Sequence, residues 1–136
     1  MPRISDAALR RLEKTARSAA ARAYAPYSEF PVGAAVLGRT GRVYAGCNVE
    51  NASYGLCTCA ERSAVFSAVA AGERAIRAVA VYTPTPLPTA PCGACRQVIH
   101  EFGPEALVVC LCDGKSRIET RLSSLLPAAF GPGDLA

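Results

Sequence analysis

Apolar side chains at Leu9, Leu12, Ala16, Ala19, Ala20 and Ala23 recur at three- and four-residue intervals, and Arg10, Lys14 and Arg17 fall between them. That period belongs to a helix with one face on a core and the other in water. Ser5 is placed to cap it, and Asp6 with Arg10 and Glu13 with Arg17 form favourable i,i+4 pairs. The prolines at 26 and 31 end this pattern and force an extended path into the small apolar run 32–37. Gly38, Thr40 and Gly41 turn that run into 43–49, so the two segments read as an antiparallel hairpin, with Asn48 and Glu50 on one side of its end. Ala60, Ala64, Ala68 and Ala71 mark a second, closely packing helix that begins near Cys59 and stops at Gly72. Residues 75–81 read as a central strand and 83–88 as a stiff, proline-rich loop. Pro91 suits the start of a third helix over 92–102, ended by Gly103. Residues 107–112 form another buried strand and 118–122 a shorter last one, and the tail beyond Pro127 is predicted to be irregular. This order predicts an α/β three-layer sandwich, a central mixed five-stranded sheet flanked by helices.

At 136 residues, 51% of them hydrophobic, the chain can bury a core as one domain spanning 1–136 and is too short for two. The formal net charge of +4 comes without any run of five basic residues, which argues against a nucleic-acid partner. No stretch approaches the ~20 apolar residues of a membrane span, and the polar start lacks an apolar signal core, so a cytoplasmic location is expected. Seven cysteines, an odd number, suit metal ligands and core positions better than disulfides in a reducing compartment. Cys110 and Cys112 alternate on one strand face as small apolar side chains, and Cys47 and Cys57 are expected to be buried too.

The chemistry concentrates in Thr58-Cys59-Ala60-Glu61-Arg62 and Pro91-Cys92-Gly93-Ala94-Cys95-Arg96. Cys59, Cys92 and Cys95 give three thiols, the ligand count of a catalytic zinc that keeps its fourth position open. Glu61, two residues past the first thiol, would lie near the metal without ligating it, where a carboxylate can move a proton. The pattern resembles that of zinc deaminases, in its all-thiolate variant. A structural zinc would close its shell with a fourth ligand. Cys57 is the rival for that place, at an unusually tight spacing from Cys59. Three thiolates leave the centre net negative, and Arg62 with two helix N-termini can offset that charge. Arg96 reads as structural, and His100 as a residue near a helix end where a cation is favoured.

The sequence also resembles the small homotetrameric cytidine deaminases over nearly its whole length. The segments that carry the likeness are 24–34, 46–55, both cysteine segments and 125–130. The resemblance implies one Zn2+ per subunit and hydrolytic deamination of cytidine and deoxycytidine, with Glu61 carrying protons between water, ring N3 and the leaving ammonia. It further implies that Asn48 and Glu50 hold the ribose hydroxyls, that Phe30 lines the nucleoside pocket, and that Ala60 meets the pyrimidine through its backbone. Ala52 and Tyr54 would serve a neighbour's site, and Phe130 would reach the base from another subunit of a homotetramer with shared sites.

Three other functions compete. Another base or nucleoside could be deaminated, as by the related blasticidin deaminases, but the 48–51 segment opposes this. An editor of polynucleotide cytosines would need interleaved basic and aromatic residues, which the chain lacks. A non-enzymatic zinc module is opposed by Glu61 and by the missing fourth ligand.

Overall fold

The computed structural model describes residues 3–136. Helix α1 (Asp6–Ala19) starts at Ser5, whose hydroxyl accepts from the Ala8 amide at 3.1 Å, and its buried positions are Leu12, Ala16 and Ala19. Strands β1 (Gly33–Gly38) and β2 (Val43–Cys47) form the expected hairpin. Helix α2 (Ala60–Ala70), strand β3 (Ile76–Tyr82), helix α3 (Gly93–Phe102), strand β4 (Leu107–Leu111) and strand β5 (Ile118–Arg121) follow. The chain then makes one turn of helix, α4 (Leu122–Leu125), and a 3-10 turn over Pro132–Leu135. The tail beyond Pro127 is thus more ordered than its glycines and prolines predict: Gln97 Nε2 donates to the Phe130 carbonyl at 2.9 Å and the Gly131 amide to the Asp134 carboxylate at 2.8 Å.

The five strands lie in the order β2-β1-β3-β4-β5. β3 and β4 run parallel, joined by the α3 crossover, and every other neighbouring pair is antiparallel, so the sheet is mixed. Alternation along the strands divides the core. Ala35, Leu37, Ala78, Ala80, Val109 and Leu111 face α1. Ala34, Val36, Val79, Val81, Val108 and Cys110 face the other way, against Ala60, Ala64, Val65 and Ala68 of α2 and Ile99 of α3. The result is the three-layer sandwich.

Gly46 sets how closely α2 approaches. A Cβ there would lie 2.3 Å from the Ala64 nitrogen and 2.6 Å from the Ala60 oxygen, so only a bare backbone lets the helix rest on β2. Gly72, with φ +104, ends α2's connection in the left-handed region, as its position predicts. Among the described residues, no helix is long and apolar enough to cross a membrane.

Candidate active site

Two of the three thiols occupy equivalent places in two helices. Cys59 is the N-cap of α2 and Cys92 the N-cap of α3, neither helix has a side-chain cap bond, and Cys95 lies in the first turn of α3. Both helix N-termini thus carry the sulfur cluster, and the positive end of a helix favours thiolate. The sulfurs of Cys59, Cys92 and Cys95 all lie within 4.8 Å of one another, with Cys59 to Cys92 at 3.8 Å and Cys92 to Cys95 at 3.5 Å. A tetrahedral ion with bonds of about 2.3 Å holds its sulfurs ~3.8 Å apart, close to these separations, so the set fits zinc. Cys57 does not belong to this cluster. Its sulfur is engaged with the backbone of Asn51, and like Cys47, at the end of the edge strand β2, it is half-buried rather than buried.

The protonation of the thiols fits the same reading. The Cys59 thiol is held low, by a hydrogen bond from Cys95 and then by Arg62, whereas Cys95 is pushed up by that same bond and by burial. A divalent cation is what allows such a set to ionise together. Arg62 Nη2 donates to the Cys59 sulfur at 3.4 Å, and its buried Nε has no acceptor among the described residues. Glu61 stands beside the cluster, 5% exposed, with its carboxyl pushed up to about 7 by burial and, to a smaller degree, by the Cys59 charge.

A pocket of about 240 Å³ opens next to these groups. Phe30, Asn48, Glu50, Cys59, Ala60, Glu61 and Cys92 line it together with Ser28, Val32, Val81, Thr83, Thr89 and Ala90. Val49 brings the first segment to the cysteines by bridging to both Tyr24 and Thr58. Asn48 then holds the 28–32 loop, its Oδ1 accepting from the Val32 amide and its Nδ2 donating to the Phe30 carbonyl, each at 2.8 Å. Glu50 accepts from the amides of Tyr27 and Ser28, at 3.0 and 3.1 Å, and from the Ser28 hydroxyl, whose bond is the largest cause of its lowered pKa. Two donors reach its Oε1 and one its Oε2, which leaves Oε2 with acceptor capacity to spare. The loop pays for its shape at Glu29, whose φ of 56 lies in the left-handed region.

Ala52, Tyr54 and Phe130 do not line this pocket. All three are exposed, Tyr54 packing edge-on against Tyr27 at 5.7 Å between ring centres. Ser28, Thr83, Thr89 and Ala90 were not singled out from sequence as site residues. Ser28 could have been, as a hydroxyl between Tyr27 and Glu29 in a segment already marked by its likeness to a family.

Fold and site together define a class: an α/β sandwich with three thiols placed to hold a metal ion and a buried carboxyl beside them in the lining of a small-molecule pocket. The comparisons narrow this class. Residues 7–111 match the cytidine and deoxycytidylate deaminase zinc-binding region, and the chain belongs to that family. It is 50% identical to the cytidine deaminase of Sporosarcina psychrophila over 88% of this chain and 89% of that protein. It is 49% identical to that of Halalkalibacterium halodurans over 91% and 95%. The crystal structure of the cytidine deaminase from Burkholderia pseudomallei superposes with a TM-score of 0.86 at 50% identity, covering 93% of this chain and all of that one.

Proposed function

We propose that this chain is a single-domain cytidine deaminase, converting cytidine and deoxycytidine to uridine and deoxyuridine with release of ammonia, one step of pyrimidine salvage in the cytoplasm. Cys59, Cys92 and Cys95 hold one zinc ion per subunit, and Arg62 offsets their charge. The observation that carries the reading is the buried carboxyl of Glu61 between the thiol cluster and the pocket that Asn48 and Glu50 close.

Bound zinc would polarise the attacking water and lower its pKa. Glu61 does the proton work. Its carboxylate accepts a proton from the water as a C–O bond forms at C4, and gives that proton to ring N3. It then takes the second proton from the new hydroxyl and passes it to the amino group, which leaves as ammonia as the C4–N bond breaks. A carboxyl near neutrality suits both directions of transfer. The amide backbone at Ala60, behind the N-cap, faces the pyrimidine, and Phe30 packs beside it. Asn48 and the free Oε2 site of Glu50 take the ribose hydroxyls.

The pocket lining contains no lysine or arginine, and Glu50 would repel a phosphate, so nucleosides are the substrates rather than nucleotides. Ala52, Tyr54 and Phe130 act in neighbouring sites of a homotetramer. In support, Tyr54, Leu56, Phe66 and Phe130 are 51–72% exposed, large apolar side chains that a lone chain leaves in water. Turnover of cytidine, cytosine and cytidine monophosphate at equal concentration tests the substrate class. Cytidine should be favoured over cytosine, by ~10⁴–10⁵ at most, since cytosine lacks the hydroxyls that Asn48 and Glu50 are placed to meet. Equal rates on cytosine would remove Asn48 and Glu50 from ribose binding, and efficient use of the monophosphate would make the chain a nucleotide deaminase.

A further inference from the structure

Arg96 follows Cys95 in the chain, and its guanidinium serves two backbone carbonyls from distant segments. Nε donates to the Pro91 oxygen at 2.7 Å and Nη1 to the Leu125 oxygen at 3.0 Å. Pro91 is fully buried and immediately precedes Cys92, so the orientation of its carbonyl is the orientation of the peptide from which the Cys92 side chain projects. A buried carbonyl without a donor is costly, and Arg96 supplies that donor. Leu125 is the last residue of α4, where helical carbonyls lack an intrahelical partner. Further along α3, Gln97 Nε2 donates to the Phe130 oxygen at 2.9 Å. His100 lies against Gly131, where a Cβ would come within 3.0 Å of its Nε2. The C-terminal segment is thus laid along α3 at successive points, and the first of them shares its side chain with the cysteine loop.

We propose that Arg96 is a positioning residue that couples the Cys92 loop to the C-terminal segment, one guanidinium fixing both the peptide that aims Cys92 and, through Leu125, the start of the segment that presents Phe130. This rests on the reading that Cys59, Cys92 and Cys95 hold zinc. The role needs the rigid fork of arginine rather than its charge. Two N–H groups at a fixed angle hold two carbonyls at once, and a lysine ammonium on a flexible stem does not reproduce that geometry.

The test compares full-length wild type with Arg96→Lys, Arg96→Met and Gln97→Ala. Zinc retention is read by competition with a chromophoric chelator, ligand geometry by the visible spectrum of the cobalt(II)-substituted proteins, and catalysis by kcat and KM for cytidine. Both Arg96 variants should lose ~10–100-fold in zinc affinity, the size typical of outer-shell changes at metal sites, with an altered cobalt spectrum and a fall in kcat. Arg96→Lys should not rescue, and it carries the test should Arg96→Met fail to fold. Gln97→Ala should keep wild-type zinc affinity and cobalt spectrum, because it frees the Phe130 end without touching Pro91. Wild-type affinity and spectrum in Arg96→Lys would overturn the proposal, as would a Gln97→Ala that loses zinc equally. A wild type that binds no zinc would bring down the functional reading and this inference with it. If the wild type binds zinc and deaminates cytidine while the Arg96 variants match it, this inference alone fails.

Discussion

Arg62, half-buried, and Glu73, buried, show how differently two charges can serve one chain. Arg62 lies against the Cys59 sulfur, and Arg62→Gln should keep zinc bound while activity falls by ~10–100-fold, measured as turnover per zinc. An unchanged rate would show that the thiolate charge is offset elsewhere. Glu73 is 3% exposed and far from the chemistry. Burial by itself would raise its pKa, but bonds from the Thr40 hydroxyl, the Tyr44 hydroxyl at 2.9 Å and the Thr40 amide outweigh burial, and the net shift is downward from 4.5. A folded pKa below the unfolded one adds stability that is complete above the unfolded value and is lost as pH falls through the folded one. Glu73→Gln should therefore melt below wild type at pH 7, and the gap should narrow as pH drops below about 4.5. A gap that stays constant in thermal melts from pH 7 to pH 3.5 would mean that the Glu73 charge does not matter.

Helix α2 delivers Cys59 and Glu61 only because β2 offers it a bare backbone at Gly46. Gly46→Ala places a Cβ 2.3 Å from the Ala64 nitrogen, and since backbone cannot give way like a flexible side chain, the cost should be at least ~1–3 kcal/mol in urea denaturation. Wild-type stability in that variant would mean that α2 rides on β2 less tightly than the structure has it. The start of this helix was legible in the sequence, because Cys59, Ala60, Glu61 and Gly72 act through local spacing. So were the Ser5 cap, the hairpin and the sheet, whose period and turn residues lie within short windows. Glu73 was not, because its partners Thr40 and Tyr44 lie about thirty residues away and nothing periodic ties them together. The same holds for Thr83 and Thr89, which reach the pocket through the course of the 83–92 loop, and for α4, whose ordering depends on Leu122 finding the core. Strand limits moved by a residue or two where a ladder, not a side-chain pattern, decides the end.

At the scale of the whole molecule, the pocket of one chain lacks Ala52, Tyr54 and Phe130, and the proposed tetramer is what brings them to it. Deleting the chain from Ala128 onward should abolish activity with zinc still bound, and a fully active monomer in sedimentation would rule out shared sites. The proposed reaction as a whole turns on a carboxylic acid that moves protons and does not ligate metal. Its most direct test is uridine formation from cytidine by zinc-loaded wild type and by Glu61→Ala, with zinc content determined on the same samples. The wild type should convert cytidine stoichiometrically to uridine and ammonia. Glu61→Ala should carry as much zinc and lose more than the ~10²–10⁴ of a single acid–base group, because Glu61 serves two proton transfers. A Glu61→Ala protein that lost its zinc, or that kept near-wild-type turnover, would contradict the role of Glu61 and the mechanism built on it.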